Sequence, residues 1–177
     1  MVRKLKFHEK KLLKKVDFIN WEVDNNLEEV RILKKYCVLK RGDYRVYNIL
    51  SRDIRTLARK IKELDSSDPF RSEQSAELLQ NLYLIGIIDN KWDLSVCNRV
   101  SPESFCKRRL PVIMVKNKMV NSVKLATQFI EQGQVRVGPE LIKDPAFLVP
   151  RNMEDFITWV DFSKIRKHIL TYNDMVR

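Results

Sequence analysis

Four glycines, two histidines and three cysteines leave this 177-residue chain little material for several kinds of site. Phosphate-cradling loops and nucleophile elbows need glycine at fixed spacings. Neither GxxxxGK[ST], GxGxxG nor GxSxG occurs. His8 and His168 lie near opposite ends of the sequence, without an obvious Ser or Cys partner. Cys37, Cys97 and Cys106 are odd in number, at unrelated spacings, with no CxxC pair. They read as reduced thiols, and a four-ligand zinc site is not supplied. Adjacent carboxylates such as Glu28-Glu29 and Glu154-Asp155 read as solvated. Catalysis is therefore not expected, and neither is a cofactor, a metal or a small-molecule substrate. No run of about 18 apolar residues is present to cross a membrane. The opening Met1-Val-Arg-Lys-Leu-Lys is basic with no apolar stretch behind it, so no secretory signal is expected.

Charge is what the chain has in excess. Net charge is +11, and apolar residues make up 44%, enough for a real core. Residues 1–15 carry seven Lys/Arg against Glu9, a net +6. Residues 106–138 carry seven against Glu131, again +6, which leaves −1 for the other 129 residues. A single charge run is usually a solvated face. Two isolated cationic stretches on a balanced chain point to a polyanion partner.

The second stretch, CKRRLPVIMVKNKMVNSVKLATQFIEQGQVRVG, reads as two short helices and a strand. Leu110–Val115 is apolar on most sides, a buried helix with Pro111 in its first turn. Ser122 is an expected N-cap. Beyond it Val123, Leu125, Ala126, Phe129 and Ile130 fall within roughly 160° of a helical wheel. Lys124, Thr127, Gln128, Glu131 and Gln132 fill the other arc. Gly133 ends the helix, and the period then drops to 2, with Val135 and Val137 opposite Gln134 and Arg136.

The order of Arg109-Leu110, a small amphipathic helix, Gly133 and a Val-x-Val strand resembles the S4-type (αL) RNA-binding module. In that family the polar face of the second helix and the following strand lie against structured RNA. The residues expected to do so are Arg108, Arg109, Lys116, Lys118, Lys124, Gln128 and Arg136. In the N-terminal arm the expected contacts are Arg3, Lys4, Lys6, Lys10, Lys11, Lys14 and Lys15. Lys and Arg displace condensed counterions from phosphates. Gln and Thr reach sugar hydroxyls or base edges, and a rigid helix-strand corner suits RNA that is read by shape.

Elsewhere the chain reads as mainly helical. Residues 1–24 form a basic amphipathic extension, too short to be a stable helix alone. Asp24-Asn25-Asn26 starts a helix over Leu27–Cys37, and Arg41-Gly42-Asp43 breaks it. A longer helix runs from about Tyr44 to Leu64, and another from Ser72 to Gly86. Leu94–Val100 is short and irregular, and Ser101-Pro102 opens a further helix. Ala146–Val149 and Phe156–Val160 read as strands, and Ser163–Leu170 as a final helix. Trp159 reads as core. The expected class is α+β: a helical region (25–105), an S4-type module (106–162) and a tail (163–177).

The opening MVRKLKFHEKKLLKKVDFINWE, the CKRRLPVIM run and the segment FIEQGQVRVGPELIKDPAFLVPRNMEDFITWVDFSKI extend the resemblance over nearly the whole chain. Together they resemble the S4-domain proteins of the U3 small nucleolar ribonucleoprotein. The pattern departs at Gln134, where relatives usually have His, and the acidic tail of many members is not among the 177 residues. The resemblance implies a non-enzymatic nucleolar factor of the small-subunit processome. Its implied role is to promote pairing of U3 small nucleolar RNA with precursor ribosomal RNA during 18S rRNA processing. Implied protein partners are the M-phase phosphoprotein scaffold subunit and a Brix-domain sister protein. The runner-up is a structural small-subunit ribosomal protein of the S4 family. The helical region Leu27–Ile88 is the expected site of protein contacts.

Overall fold

The computed structural model describes residues 3–14 and 27–176. The chain divides into two units, Met1–Arg31 and Ile32–Arg177. In the first, helix α1 (Phe7–Leu13) is closed at its start by Glu9, whose carboxylate accepts from the Lys6 N–H at 2.8 Å. Arg3 also pairs with Glu9. No α1 residue is buried and Phe7 is 82% exposed. Lys15 and the expected helix start at Asp24-Asn25-Asn26 lie outside the described residues.

Helix α2 (Leu27–Lys35) gives way to a turn in which Cys37 takes a positive φ of 49°. The Val38 N–H closes that turn by donating to Leu33 O. Arg41-Gly42-Asp43, expected as a break, is instead the first turn of α3 (Arg41–Glu63). The Asp43 N–H donates to Lys40 O at 3.1 Å, and its carboxylate lies where a helix dipole favours negative charge. Helix α4 (Pro69–Ile85) starts three residues before Ser72 because Asp68 accepts from the Phe70 N–H and Pro69 fits the first position. It ends at Gly86, with φ 85°.

A 3₁₀ turn at Leu94–Arg99 precedes α5 (Pro102–Lys107), α6 (Leu110–Lys116) and α7 (Val123–Glu131). Ser122 caps α7 as expected, its Oγ accepting from the Leu125 N–H at 3.3 Å. Strand β1 (Val135–Val137) is central, with β2 (Glu140–Leu141) and β3 (Ile157–Trp159) antiparallel on either side. A 3₁₀ turn at Arg151–Phe156 leads into β3, and α8 (Lys164–Val176) runs past the expected Leu170. Ala146–Val149 is not a strand; it makes one bridge, Arg109 to Leu148. Its backbone is drawn instead to the α5–α6 corner, where Leu110 N–H donates to Phe147 O and Val149 N–H to Arg108 O.

The fold is thus α+β, mainly helical with one small sheet. Two apolar clusters hold the second unit. One joins Tyr36, Tyr47, Leu79, Leu82, Ile88, Phe105 and neighbours, with the Tyr47 and Phe105 rings stacked at 5.6 Å. The other joins Leu110, Ile113, Met114, Ala126, Ile130, Val135 and Val149. Trp159 packs at its edge, 5.7 Å from Phe129.

The buried face of α7 differs from the wheel. Thr127 is 4% exposed and Leu125 42%. Thr127 Oγ1 donates back to Val123 O at 2.9 Å, so its hydroxyl is satisfied without water. That bond makes burial cheap enough for the helix to turn its Thr inward.

Candidate nucleic-acid interface

Arg108 and Arg109 sit where the two clusters meet, at the end of α5 and the start of α6. Their expected exposure to phosphates is corrected by the structure: they are only 7% and 4% exposed. Arg108 Nε and Nη2 donate to Val149 O at 3.0 and 2.6 Å, and Nη1 donates to Glu154 Oε2 at 3.1 Å. Arg109 Nη1 donates to Asp43 Oδ2 at 3.1 Å and to Tyr47 Oη at 3.3 Å. A buried guanidinium needs such partners, because desolvation of an unpaired charge is prohibitive. These two arginines join parts of the protein.

Glu154, expected to be solvated, is the partner that sequence reasoning missed. It receives both Arg108 and Lys116 Nζ, the latter at 2.6 Å. The hydrogen bond from Lys116, then that from Arg108, hold its carboxyl below the usual range, against desolvation. Lys116 is therefore exposed but already paired. No local signal marks Glu154, since its partners lie 46 and 38 residues away.

The remaining predicted residues stay at the surface. Lys118 takes a positive φ of 57° in the turn between α6 and α7, where its side chain is exposed. Lys124 and Gln128 stand one turn apart on the exposed face of α7. Lys118 and Lys124 have no acidic partner among the described residues. Arg136 projects from β1, opposite the face of Val135 and Val137. Its Nε donates to Thr158 Oγ1 at 3.0 Å and its Nη1 to Asp161 Oδ2 at 2.9 Å. That holds the side chain extended over the sheet, with its charge shared with an Asp that also pairs with Arg166. Gln134 serves through its backbone, its N–H donating to Phe129 O and its carbonyl accepting from Val160 N–H. In the N-terminal unit Arg3, Lys4, Lys6, Lys10, Lys11 and Lys14 are all exposed, and of these only Arg3 is ion-paired among the described residues.

The chemistry available is that of a binding surface. Cys37, Cys97 and Cys106 are free, and burial pushes the Cys106 thiol up to about 11 and the Cys97 thiol in the same direction. A thiol so displaced is unreactive at neutral pH. Among the described residues no group of His, Cys, Asp and Glu is placed to hold a metal ion. None of the described helices is long and apolar enough to cross a membrane.

Comparison with known proteins matches residues 4–101 to the ribosomal protein S4/S9 N-terminal domain and residues 108–155 to the S4 domain. The U3 small nucleolar ribonucleoprotein protein IMP3 of Mus musculus is 54% identical over 98% of this chain and 95% of its own length. The Saccharomyces cerevisiae protein of that name is 49% identical over 99% and 97%. The small ribosomal subunit protein uS4 of Picrophilus torridus is 30% identical over 81% and 79%.

Proposed function

Because the chain belongs to the family of the U3 small nucleolar ribonucleoprotein protein IMP3, an RNA-binding role in ribosome biogenesis follows, and we propose that it promotes pairing of U3 small nucleolar RNA with precursor ribosomal RNA. It does so in the nucleolus, without catalysing a reaction. The observation that supports this is the unequal fate of the cations in the S4 domain. Arg108, Arg109 and Lys116 are committed to internal carboxylates. Lys118 and Lys124 remain exposed, with no acidic partner among the described residues; Gln128 follows Lys124 by one turn of α7, and Arg136 lies on the strand that follows. Such a surface binds phosphates by counterion release while Gln128 reaches sugar or base edges. The basic N-terminal arm supplies a second cationic segment. Two cationic segments on one chain screen two RNA strands together, lowering their repulsion and raising their effective concentration.

The M-phase phosphoprotein scaffold and a Brix-domain sister protein are the proposed protein partners. The experiment is annealing of labelled U3 and precursor-rRNA strands with and without the protein at moderate salt. The expected outcome is faster duplex formation that Lys118→Gln/Lys124→Gln slows. An unchanged rate with the wild-type protein overturns the pairing role.

A further inference from the structure

Another cationic feature lies in the helical region, on residues outside the S4 domain. Arg59 and Lys62 of α3, Arg71 of α4, and Asp93, Ser95 and Asn98 line a cleft of about 320 Å³. Asp93 is the only carboxylate in that lining. It is already engaged, accepting from the Ser95 N–H at 2.8 Å as the cap of the 3₁₀ turn. Arg71 donates to Leu64 O, whereas Arg59 and Lys62 have no hydrogen bond or ion pair among the described residues. The cleft therefore holds more positive charge than its own wall offsets.

Immediately before Asp93 stands Trp92, 83% exposed. A surface indole of that exposure is unusual, because Trp offers more apolar area to bury than any other side chain. Lys91 Nζ lies 5.4 Å from the centre of its ring and 5.9 Å from that of Tyr83. The segment is well anchored. Trp92 N–H donates to Asn90 Oδ1 at 3.0 Å, and Arg151 Nη2 donates to Ile88 O and Asp89 Oδ1. Arg151 also lies over the Tyr83 ring at 4.4 Å. Trp92 is thus presented by a tethered loop among cations, next in sequence to a residue that lines the cleft.

We infer that this face of the helical region is a second RNA site, taking an unpaired stretch of RNA with an unstacked base on Trp92 and phosphates at Arg59, Lys62 and Arg71. The site rests on the RNA-binding reading above and extends it to a region outside the S4 domain. Stacking is tolerant of base identity, because every base has a π face. A partner held by apolar area alone would not need the uncompensated cations. An aromatic platform beside a phosphate-binding groove is how single strands are held.

The test uses the full chain, a labelled 12-nucleotide oligouridylate and a 12-base-pair RNA duplex, titrated at several salt concentrations. Trp92→Ala is expected to weaken oligouridylate binding roughly 5- to 150-fold, leaving the duplex and the salt slope unchanged. Trp92→Phe is expected to restore most of the loss. Arg59→Gln/Lys62→Gln is expected to flatten the salt slope for the single strand by about 1.4, at about 0.7 per phosphate contact. All three substituted positions, Arg59, Lys62 and Trp92, are exposed, so the substitutions leave the core intact. Wild-type oligouridylate affinity in both Trp92→Ala and Arg59→Gln/Lys62→Gln overturns the site and reassigns Trp92 to a protein contact, with the RNA-binding reading standing. Failure of the wild-type protein to retain either RNA overturns that reading as well.

Discussion

Arg109 donates to Asp43 at 3.1 Å, across 66 residues, with the arginine 4% exposed. The pair ties the start of α6 in the S4 domain to the first turn of α3. Tyr47, one helical turn on from Asp43, takes the same nitrogen and stacks on Phe105. Burial and the nearby Asp43 push the Tyr47 hydroxyl upward, and Arg109 opposes them. A sequence motif that looks like a nucleic-acid contact is here a joint within the protein.

Arg108 and Lys116 share the Glu154 carboxylate but differ in burial, 8% against 64% for the side chains. Arg108→Met is expected to cost about 3 kcal/mol, because it removes a buried pair and the bonds to Val149 O. Lys116→Gln should cost no more than about 1 kcal/mol. Urea unfolding of the two variants checks the difference. Equal losses contradict the buried role of Arg108.

Lys118→Gln and Lys124→Gln remove exposed cations without touching either apolar cluster. Stability should change by no more than about 0.5 kcal/mol for each. RNA affinity should fall, with the salt slope shallower by about 0.7 to 0.9 per residue. Fluorescence anisotropy across a salt series separates this from a folding defect.

Gly86 ends α4 at φ 85°, and a Cβ there meets the Arg108 guanidinium at 2.8 Å. Gly86→Ala is expected to lose about 1–2 kcal/mol from the left-handed backbone alone, and more if Arg108 is displaced. Gly42 lies in the first turn of α3 with nothing within 4 Å. Gly42→Ala is therefore expected to be neutral or to gain up to about 1 kcal/mol. Thermal unfolding of both variants gives opposite signs if this holds.

The Glu103 carboxyl is held down at about 2, against an ordinary 4.5, by hydrogen bonds from Lys35 and Tyr36. A depressed carboxyl stabilises the fold fully above its unfolded value and loses that contribution as pH falls through the folded one. The loss should therefore run from about pH 4.5 to 2. Glu103→Gln should be less stable than wild type at neutral pH and converge with it near pH 2, as denaturant midpoints across that range will show.

By itself the sequence determined the parts whose causes are local. The capped α7, the Gly133 stop, the alternation of Val135 and Val137, and the Pro102 helix all follow from side chains within a few residues of one another. The same is true of the α+β class and of the cationic stretches. Only the tertiary structure decided which cations are available to a ligand. Arg108, Arg109 and Lys116 are adjacent in motif to Lys118 and Lys124. Yet burial and the distant carboxylates Asp43 and Glu154 consume the first three. Long-range packing likewise set Thr127 inward, and brought Arg59, Lys62 and Arg71 to one cleft beside the Trp92 loop. Charge is written in the chain. Whether a charge meets solvent or an internal partner depends on residues tens of positions away, which only folding brings near.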